Sequence, residues 1–201
     1  MNRQERKLAQ KQAQLSALRE IGQALNSAWA LEPMLDLISR KTTQIMGMDS
    51  CSIYLLQPDG DQLVLKATTG LAEDAIGHAT LGLGEGLTGW SAREGVPVAV
   101  RDAAADPRFK LLPETKERGL RSLAAMPLKN QGRVIGSMNV QTARFHFFDV
   151  DEMELLSLIG DLAAGALEKA ALYDNMRRQI EELSALAQVS QAVTSPPVSY
   201  T

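Results

Sequence analysis

The N-terminal stretch of the chain carries apolar residues at helical spacing. Residues 2–30 are rich in Ala, Gln, Leu, Arg and Glu and contain no Pro, a composition that favours helix. A seven-residue spacing relates two pairs of leucines, Leu8 with Leu15 and Leu18 with Leu25. This spacing predicts a weak coiled-coil seam, which Lys11 and Gly22 interrupt.

A second amphipathic helix is predicted between Leu31 and Gly47. Pro33 lies in the first turn, where a missing amide hydrogen is tolerated, and Gly47 suits the left-handed residue that ends many helices. Four apolar side chains recur along one side of this helix: Leu35, Ile38, Ile45 and Met46. We expect this side to pack against a core.

Short apolar runs between turn residues predict β-strands in the middle of the chain. Residues 51–56 and 63–68 are two such runs, and the turn between them, which contains Pro-Asp-Gly, predicts an antiparallel pair. A second pair is predicted at 122–128 and 133–141, and a brief strand at 97–100. The strands therefore come mainly as hairpins, which indicates an antiparallel sheet.

The other segments predict helices and loops. The glycine-rich stretch 81–90 leads into a short helix from about Leu87 to Gly95, and 102–119 predicts loop and short helix. A long helix is predicted from Asp149 to about Thr194, because the prolines that follow cannot continue it. Together with the hairpins, these elements indicate an α+β protein.

Composition narrows the possible functions. The chain has 201 residues, a formal net charge of −3 and 45% hydrophobic residues, enough for one core. No basic stripe indicates a nucleic-acid partner, and no run of about 18 apolar residues indicates a membrane span. One cysteine and two histidines do not suggest a disulfide or a metal cluster. We therefore expect a cytoplasmic domain with no direct membrane contact.

Several motifs occur in the order and spacing typical of one family. They are Gly84-Glu85-Gly86-Leu87-Thr88-Gly89-Trp90, Gly95-Val96-Pro97-Val98, Asp106-Pro107-Arg108-Phe109, Ser122-Leu123, Met126-Pro127-Leu128, Val134-Ile135-Gly136, and the ending Phe148, Asp151 and Leu155-Leu156. Over about residues 20–178 the chain resembles the GAF domain family. The resemblance implies a sheet of about six strands with helices on both faces and long N- and C-terminal signalling helices. It also implies a small-molecule pocket between the sheet and a glycine-rich wall.

The resemblance to cyclic-nucleotide-binding GAF domains implies a set of ligand-binding residues. Ser52 would lie on the pocket face, and Tyr54 shares its side of the first strand because side chains alternate along a strand. Arg121 is the best candidate to face an anionic ligand, since guanidinium binds carboxylate or phosphate through two donors. The other implied contacts are Thr68 and Thr69 at the pocket edge, Leu87 and Thr88 in the wall helix, Phe109 and Lys110 as a cover, and the polar positions Ser122 and Asn139. The alternative is that all of these are ordinary strand and loop residues.

The family's known cofactors fit this sequence poorly. The nucleotide-binding members carry an Asn-Lys pair where this chain has Thr142-Ala143, so cyclic nucleotide is not favoured. Haem-binding members place a histidine in the stretch that is 110–121 here, which contains none, and bilin-binding members usually use a late cysteine. Cys51 has no neighbouring base to activate it. We therefore expect no metal, haem or bilin, but an unidentified small molecule.

The sequence therefore predicts a sensor rather than an enzyme. Ligand binding would rearrange the terminal helices and pass to an output domain of a larger protein, in bacterial two-component or cyclic-dinucleotide signalling. The alternative is a dimerisation module with a vestigial pocket. The predicted domains are a signalling helix (1–28), a GAF domain (29–172), a coiled-coil linker (173–195) and the start of a further module (196–201).

Two features concern assembly. Leu15-Ser16-Ala17-Leu18 recurs as Leu183-Ser184-Ala185-Leu186, which indicates either two similar coiled coils or the opening helices of tandem modules. Tyr173, Met176, Ile180 and Leu183 follow coiled-coil spacing. We therefore expect a homodimer through the terminal helices.

Overall fold

The computed structural model describes residues 31–116 and 119–194, together with the helical residues Gln12, Leu15, Ser16, Arg19 and Gly22. The predicted helix at 1–28 thus falls largely outside the described residues, and the predicted start of a further module at 196–201 falls wholly outside them. The helices are α1 (Leu31–Met46), α2 (Gly86–Glu94) and α3 (Val150–Thr194). The strands are β1 (Ser50–Leu56), β2 (Gln62–Thr69), β3 (Thr80–Gly82), β4 (Val98–Val100), β5 (Ser122–Asn130) and β6 (Arg133–Thr142).

The strands form a single six-stranded sheet in the order β3-β2-β1-β6-β5-β4. Every neighbouring pair is antiparallel, which confirms the predicted α+β class with an antiparallel sheet. Five strands lie where the sequence pattern places them. The sixth, β3, has only three residues inside the glycine-rich stretch, too few to show an alternating pattern.

One face of the sheet is covered by α1 and α3. The core between them is aliphatic, and its fully buried members include Ile38, Met138, Val140, Leu156 and Ile159. Gly160 allows α3 to approach the sheet closely, because a Cβ there would lie only 3.3 Å from the Met126 side chain. This face therefore holds the largest of the described apolar clusters.

The opposite face is covered by α2 and by the segment 101–116, which contains two single turns of 3-10 helix, Ala103–Ala105 and Pro113–Thr115. Gly89 sets the position of α2, because a Cβ on this residue would lie 2.5 Å from the Gly82 carbonyl oxygen. Gly95 ends α2 in the left-handed conformation, as the sequence predicts. Helices thus lie on both faces of the sheet, and a separate layer lies where the resemblance implies a wall.

The start and the far end of α3 contrast in their surroundings. Asp149 and Glu152 form a capping box, in which each side chain accepts a hydrogen bond from the other's backbone amide, at 2.9 and 3.0 Å. The far end passes beyond the sheet, and four apolar side chains there are 57–66% exposed in this single chain: Tyr173, Met176, Ile180 and Leu183. The helix begins where the sequence predicts, and its apolar row lacks cover within the described residues.

Candidate functional site

Strand β1 divides the interior of the protein into two environments. Cys51 and Ile53 are fully buried in the core beneath α1 and α3. Ser52 and Tyr54 lie on the other face, because side chains alternate along a strand. Tyr54 packs in an apolar cluster with Leu63 and Leu65, whereas Ser52 belongs to a polar row. The position of Ser52 on the sheet face beneath the wall follows the expectation.

The polar row crosses the centre of the sheet. Ser52 pairs with Thr68 of β2 on one side and with Asn139 of β6 on the other. The hydroxyl oxygens of Ser52 and Thr68 are 2.8 Å apart, within hydrogen-bond distance. Asn139 Nδ2 donates to Thr88 Oγ1 of α2 at 2.7 Å. These four residues, each at most 7% exposed, are called the polar row below.

The buried oxygen atoms on this sheet face that have no hydrogen-bond partner among the described residues include Asn139 Oδ1 and the hydroxyl oxygen of Ser50. Ser50 lies two residues before Ser52 and therefore on the same sheet face. A buried oxygen left without a partner costs about 1–3 kcal/mol. The two atoms therefore mark a place where a bound molecule could complete the hydrogen bonding. The alternation of side chains along β1 places Ser50 on the face of Ser52, so the sequence alone could have identified Ser50 as a candidate site residue.

The apolar boundary of the site comes from the wall and the neighbouring strands. Leu87 at the start of α2 packs with Ala103, Leu123, Ala125 and the half-buried Phe109. A turn at Asp106 directs Phe109 inward. Asp106 Oδ1 accepts a hydrogen bond from the Arg108 amide at 2.9 Å, and the Asp106 carbonyl oxygen accepts one from the Phe109 amide. The expected wall contacts Leu87 and Phe109 thus lie together against the sheet face that carries the polar row.

Lys110 lies at the surface rather than over the polar row. Its ammonium group forms an ion pair with Glu85, the residue that precedes α2. Lys110, together with the Gly82 amide at 2.9 Å, holds the pKa of the Glu85 carboxyl below its ordinary value. Lys110 and Glu85 are both substantially exposed. Their ion pair therefore joins two segments of the wall at its solvent-exposed rim.

Two further expected contacts, Thr69 and Ser122, also lie away from the polar row. Thr69 faces the helices, where its hydroxyl is 2.9 Å from that of Ser39 in α1, because it follows Thr68 and points the opposite way. Ser122 lies at the beginning of β5, donates to the Arg101 carbonyl at 2.6 Å and accepts from the His146 amide at 2.7 Å. Its hydroxyl therefore joins loops instead of lining the site.

Arg121 also lies away from the polar row. Its guanidinium lies 4.8 Å from the centre of the Phe145 ring, and that of Arg101 lies 5.5 Å from the same ring. This contact places Arg121 at the end of the sheet, next to the loop that follows β6. The expectation that Arg121 faces an anionic ligand stays a prediction.

Cys51 is unsuited to nucleophilic chemistry. It is fully buried, and burial raises the pKa of its thiol to about 12. In the described part of the chain no group of three or more His, Cys, Asp or Glu side chains could hold a metal ion. No helix there is both long and apolar enough to cross a membrane.

A separate open groove of 430 Å³ lies between β5 and the beginning of α3. Apolar side chains form its floor, among them Met126, Phe148 and Met153, and Asp149, Glu154 and Asp161 also line it. The sequence pattern gives no signal for this groove, because its residues come from distant segments.

The chain belongs to the GAF domain family, whose family model matches residues 30–168. The GAF domain of a phosphoenolpyruvate-protein phosphotransferase from Coxiella burnetii is 27% identical, with a TM-score of 0.76 over 82% of this chain and 98% of that one. Among curated proteins, an Escherichia coli K12 protein named phosphoenolpyruvate-dependent phosphotransferase system is 29% identical over 79% of the chain. The anaerobic nitric oxide reductase transcription regulator NorR of Aeromonas hydrophila is 28% identical over 67% of it.

These relatives differ greatly from the chain in length. The match spans 21% of the phosphotransferase protein and 27% of NorR. The free methionine-R-sulfoxide reductase of Neisseria meningitidis, solved with its substrate, is 20% identical with a TM-score of 0.69. At that identity it shows only a shared fold.

Proposed function

We propose that this GAF domain is a ligand-sensing regulatory module of a larger signal-transduction protein. The observation that carries the proposal is the buried polar row beneath the wall, with two oxygen atoms, on Ser50 and Asn139, that lack partners among the described residues. Completing these hydrogen bonds would recover part of the free energy that burial costs. A small molecule held between sheet and wall can therefore stabilise this arrangement.

The strands offer a short route from this site to the signalling helices. Thr68 belongs to the polar row, and the next residue, Thr69, contacts Ser39 of α1. Likewise, Ser52 belongs to the row, and its neighbour Cys51 lies in the core beneath the helices. A displacement of β1 or β2 on ligand binding would change the packing of α1 on the sheet. Since α1 and α3 share one core, the change can pass into α3.

The relatives support a regulatory role. NorR is named a transcription regulator, and the match covers about a quarter of it; the phosphotransferase protein likewise has most of its length outside the match. We therefore propose that the output activity lies in other domains of the parent protein and that this domain is not an enzyme. The raised pKa of Cys51 supports this, because the thiolate is the reactive form of cysteine.

Native mass spectrometry of the freshly purified full chain tests this proposal. We expect a retained small molecule, or a metabolite that raises the melting temperature in a screen, since binding to the folded state stabilises it. Two neighbouring variants then locate the site. Thr68→Val should weaken that stabilisation, whereas Thr69→Val, which changes the opposite face, should leave it intact. Equal loss in both variants, or no stabilisation by any metabolite, would count against the proposal.

A second candidate function is a dimerisation module. The observation that favours it is the exposed apolar row on α3, formed by Tyr173, Met176, Ile180 and Leu183. Its spacing of three and four residues is typical of a coiled-coil seam. The two functions are compatible, because a change in the packing of paired α3 helices could pass to an output domain.

A further inference from the structure

The polar row is electrically neutral, and this limits what it can bind. Its four residues and Ser50 carry only hydroxyl and amide groups. The cations of the neighbouring wall that the structure describes are engaged elsewhere. Lys110 pairs with Glu85 at the rim, and Arg108 binds Asp106 through two nitrogen atoms at 2.7 and 2.9 Å. An anion bound against this row would thus lose its hydration without gaining an ion pair with a cation of the described wall.

The hydrogen-bonding groups of the row are complementary to a neutral ligand. Asn139 directs its Nδ2 at Thr88, which leaves Oδ1 as an acceptor that requires a donor. Ser52 and Thr68 share one hydrogen bond. Because each of these hydroxyls has one hydrogen and only one hydrogen is used between them, the pair retains a donor. The row therefore offers an acceptor and a donor side by side on one sheet face.

We propose that the ligand presents to Asn139 and the Ser52–Thr68 pair an uncharged group with both an N–H or O–H donor and an acceptor, such as an amide. This rests on the proposed ligand-binding function of the same site and specifies its chemistry. A carboxylate offers only acceptors, so against Asn139 it leaves Oδ1 unsatisfied and places two oxygen atoms close together. Burying a charged group without a partner also costs far more than burying an amide.

The test uses two probes of the same shape, acetamide and acetate, titrated into the ¹⁵N-labelled full chain at matched ionic strength. The side-chain amide of Asn139 and the backbone amide of Ser52 report on binding. We expect acetamide to shift both signals saturably, with a dissociation constant at least tenfold below that of acetate. Equal or tighter binding of acetate would overturn the inference, and so would the absence of a saturable shift with acetamide.

Variants assign the effect to the polar row. Asn139→Leu should abolish the acetamide response. Ser52→Ala, which makes a smaller change next to Asn139, provides a second measurement if the first variant does not fold. We expect Ser52→Ala to weaken acetamide binding about threefold, the effect of one modest hydrogen bond. Thr69→Val is the matched control and should bind acetamide as the parent does. An acetamide affinity unchanged in Ser52→Ala and Asn139→Leu would place binding elsewhere and overturn the inference.

The two proposals fail in different ways. If native mass spectrometry finds a retained anion that Asn139→Leu no longer retains, the domain is a sensor but the inference about ligand chemistry is wrong. If the full chain retains no molecule and no metabolite stabilises it, the sensing function itself is contradicted, whatever acetamide does.

Discussion

Asn139 and Thr88 join the sheet to the wall through a single hydrogen bond of 2.7 Å between Nδ2 and Oγ1. The two residues are separated by 51 positions in the chain, and both are at least 95% buried. This bond fixes the orientation of the Asn139 amide and leaves Oδ1 as an acceptor. The polar character of the site therefore depends on the position of α2.

The first prediction concerns this bond. Thr88→Val replaces the hydroxyl with a methyl group of similar size and leaves a buried amide donor without its partner. We expect a loss of about 1–3 kcal/mol in the free energy of unfolding, measured by urea denaturation. Thr88→Ser keeps the hydroxyl and serves as the control. The role assigned to the bond is wrong if the valine variant is as stable as the serine variant.

The second prediction concerns the close approach of α2 to the last residue of β3. In Gly89→Ala the new Cβ would lie 2.5 Å from the Gly82 carbonyl oxygen, so the helix or loop must shift. We expect a lower melting temperature. Gly165→Ala in α3 is the matched control, because no atom lies within 4 Å of its new Cβ. There alanine should stabilise the helix by about 0.5–1 kcal/mol, so the two substitutions should have opposite signs.

The third prediction concerns pH. Asp49 accepts hydrogen bonds from the Ala143 amide and the Thr142 hydroxyl, both at 2.8 Å. These bonds lower the pKa of its carboxyl below the ordinary 3.8. A depressed folded-state pKa gives stability that is present above pH 3.8 and is lost as the pH falls through the lower folded-state value.

Asp49→Asn removes this titration. We expect the stability difference between the parent and this variant to be constant from pH 7 to about pH 5 and to shrink below about pH 4. Urea midpoints measured across that range provide the test. A difference for Asp49→Asn that stays constant down to pH 3 would contradict the assignment.

Much of this fold can be predicted from local patterns. Gly47 and Gly95 end their helices in the left-handed conformation, as their positions in the sequence predict. The hairpins follow from apolar runs separated by turn residues. In contrast, β3 is too short to show an alternation of apolar and polar residues, and only its pairing with β2 identifies it as a strand.

The candidate site was harder to predict, because its geometry depends on which way neighbouring residues point. Thr68 and Thr69 have the same side chain, but successive residues of a strand point to opposite faces. Thr68 therefore belongs to the polar row, whereas Thr69 contacts α1. Ser122 is the first residue of β5, and its hydroxyl lies within hydrogen-bond distance of the Arg101 and Arg144 carbonyl oxygens, which belong to two loops. Arg121 finds an aromatic ring at the sheet end. Such contacts join residues distant in sequence, so no local pattern shows them.

The last prediction is that the full chain dimerises through α3. Met176 and Ile180 are 58% and 61% exposed, and with Tyr173 and Leu183 they form an apolar row beyond the globular core. A parallel coiled coil with a second copy would bury each row against its twin. Two charges introduced into this row would be buried in the seam, so Met176→Glu with Ile180→Glu should convert the dimer to a monomer without lowering the stability of the GAF core.

Asn175→Glu is the matched control, because residue 175 takes an outer heptad position, about 120° around the helix from the centre of the row. Sedimentation at several concentrations measures the association, which we expect to be micromolar because Gln179 leaves the seam imperfect. A full chain that stays monomeric at high concentration would contradict the prediction. So would a dimer that survives the paired glutamates, since it would have to form through another surface. A dimer lost in the paired variant but kept in Asn175→Glu would place the seam along Tyr173, Met176, Ile180 and Leu183.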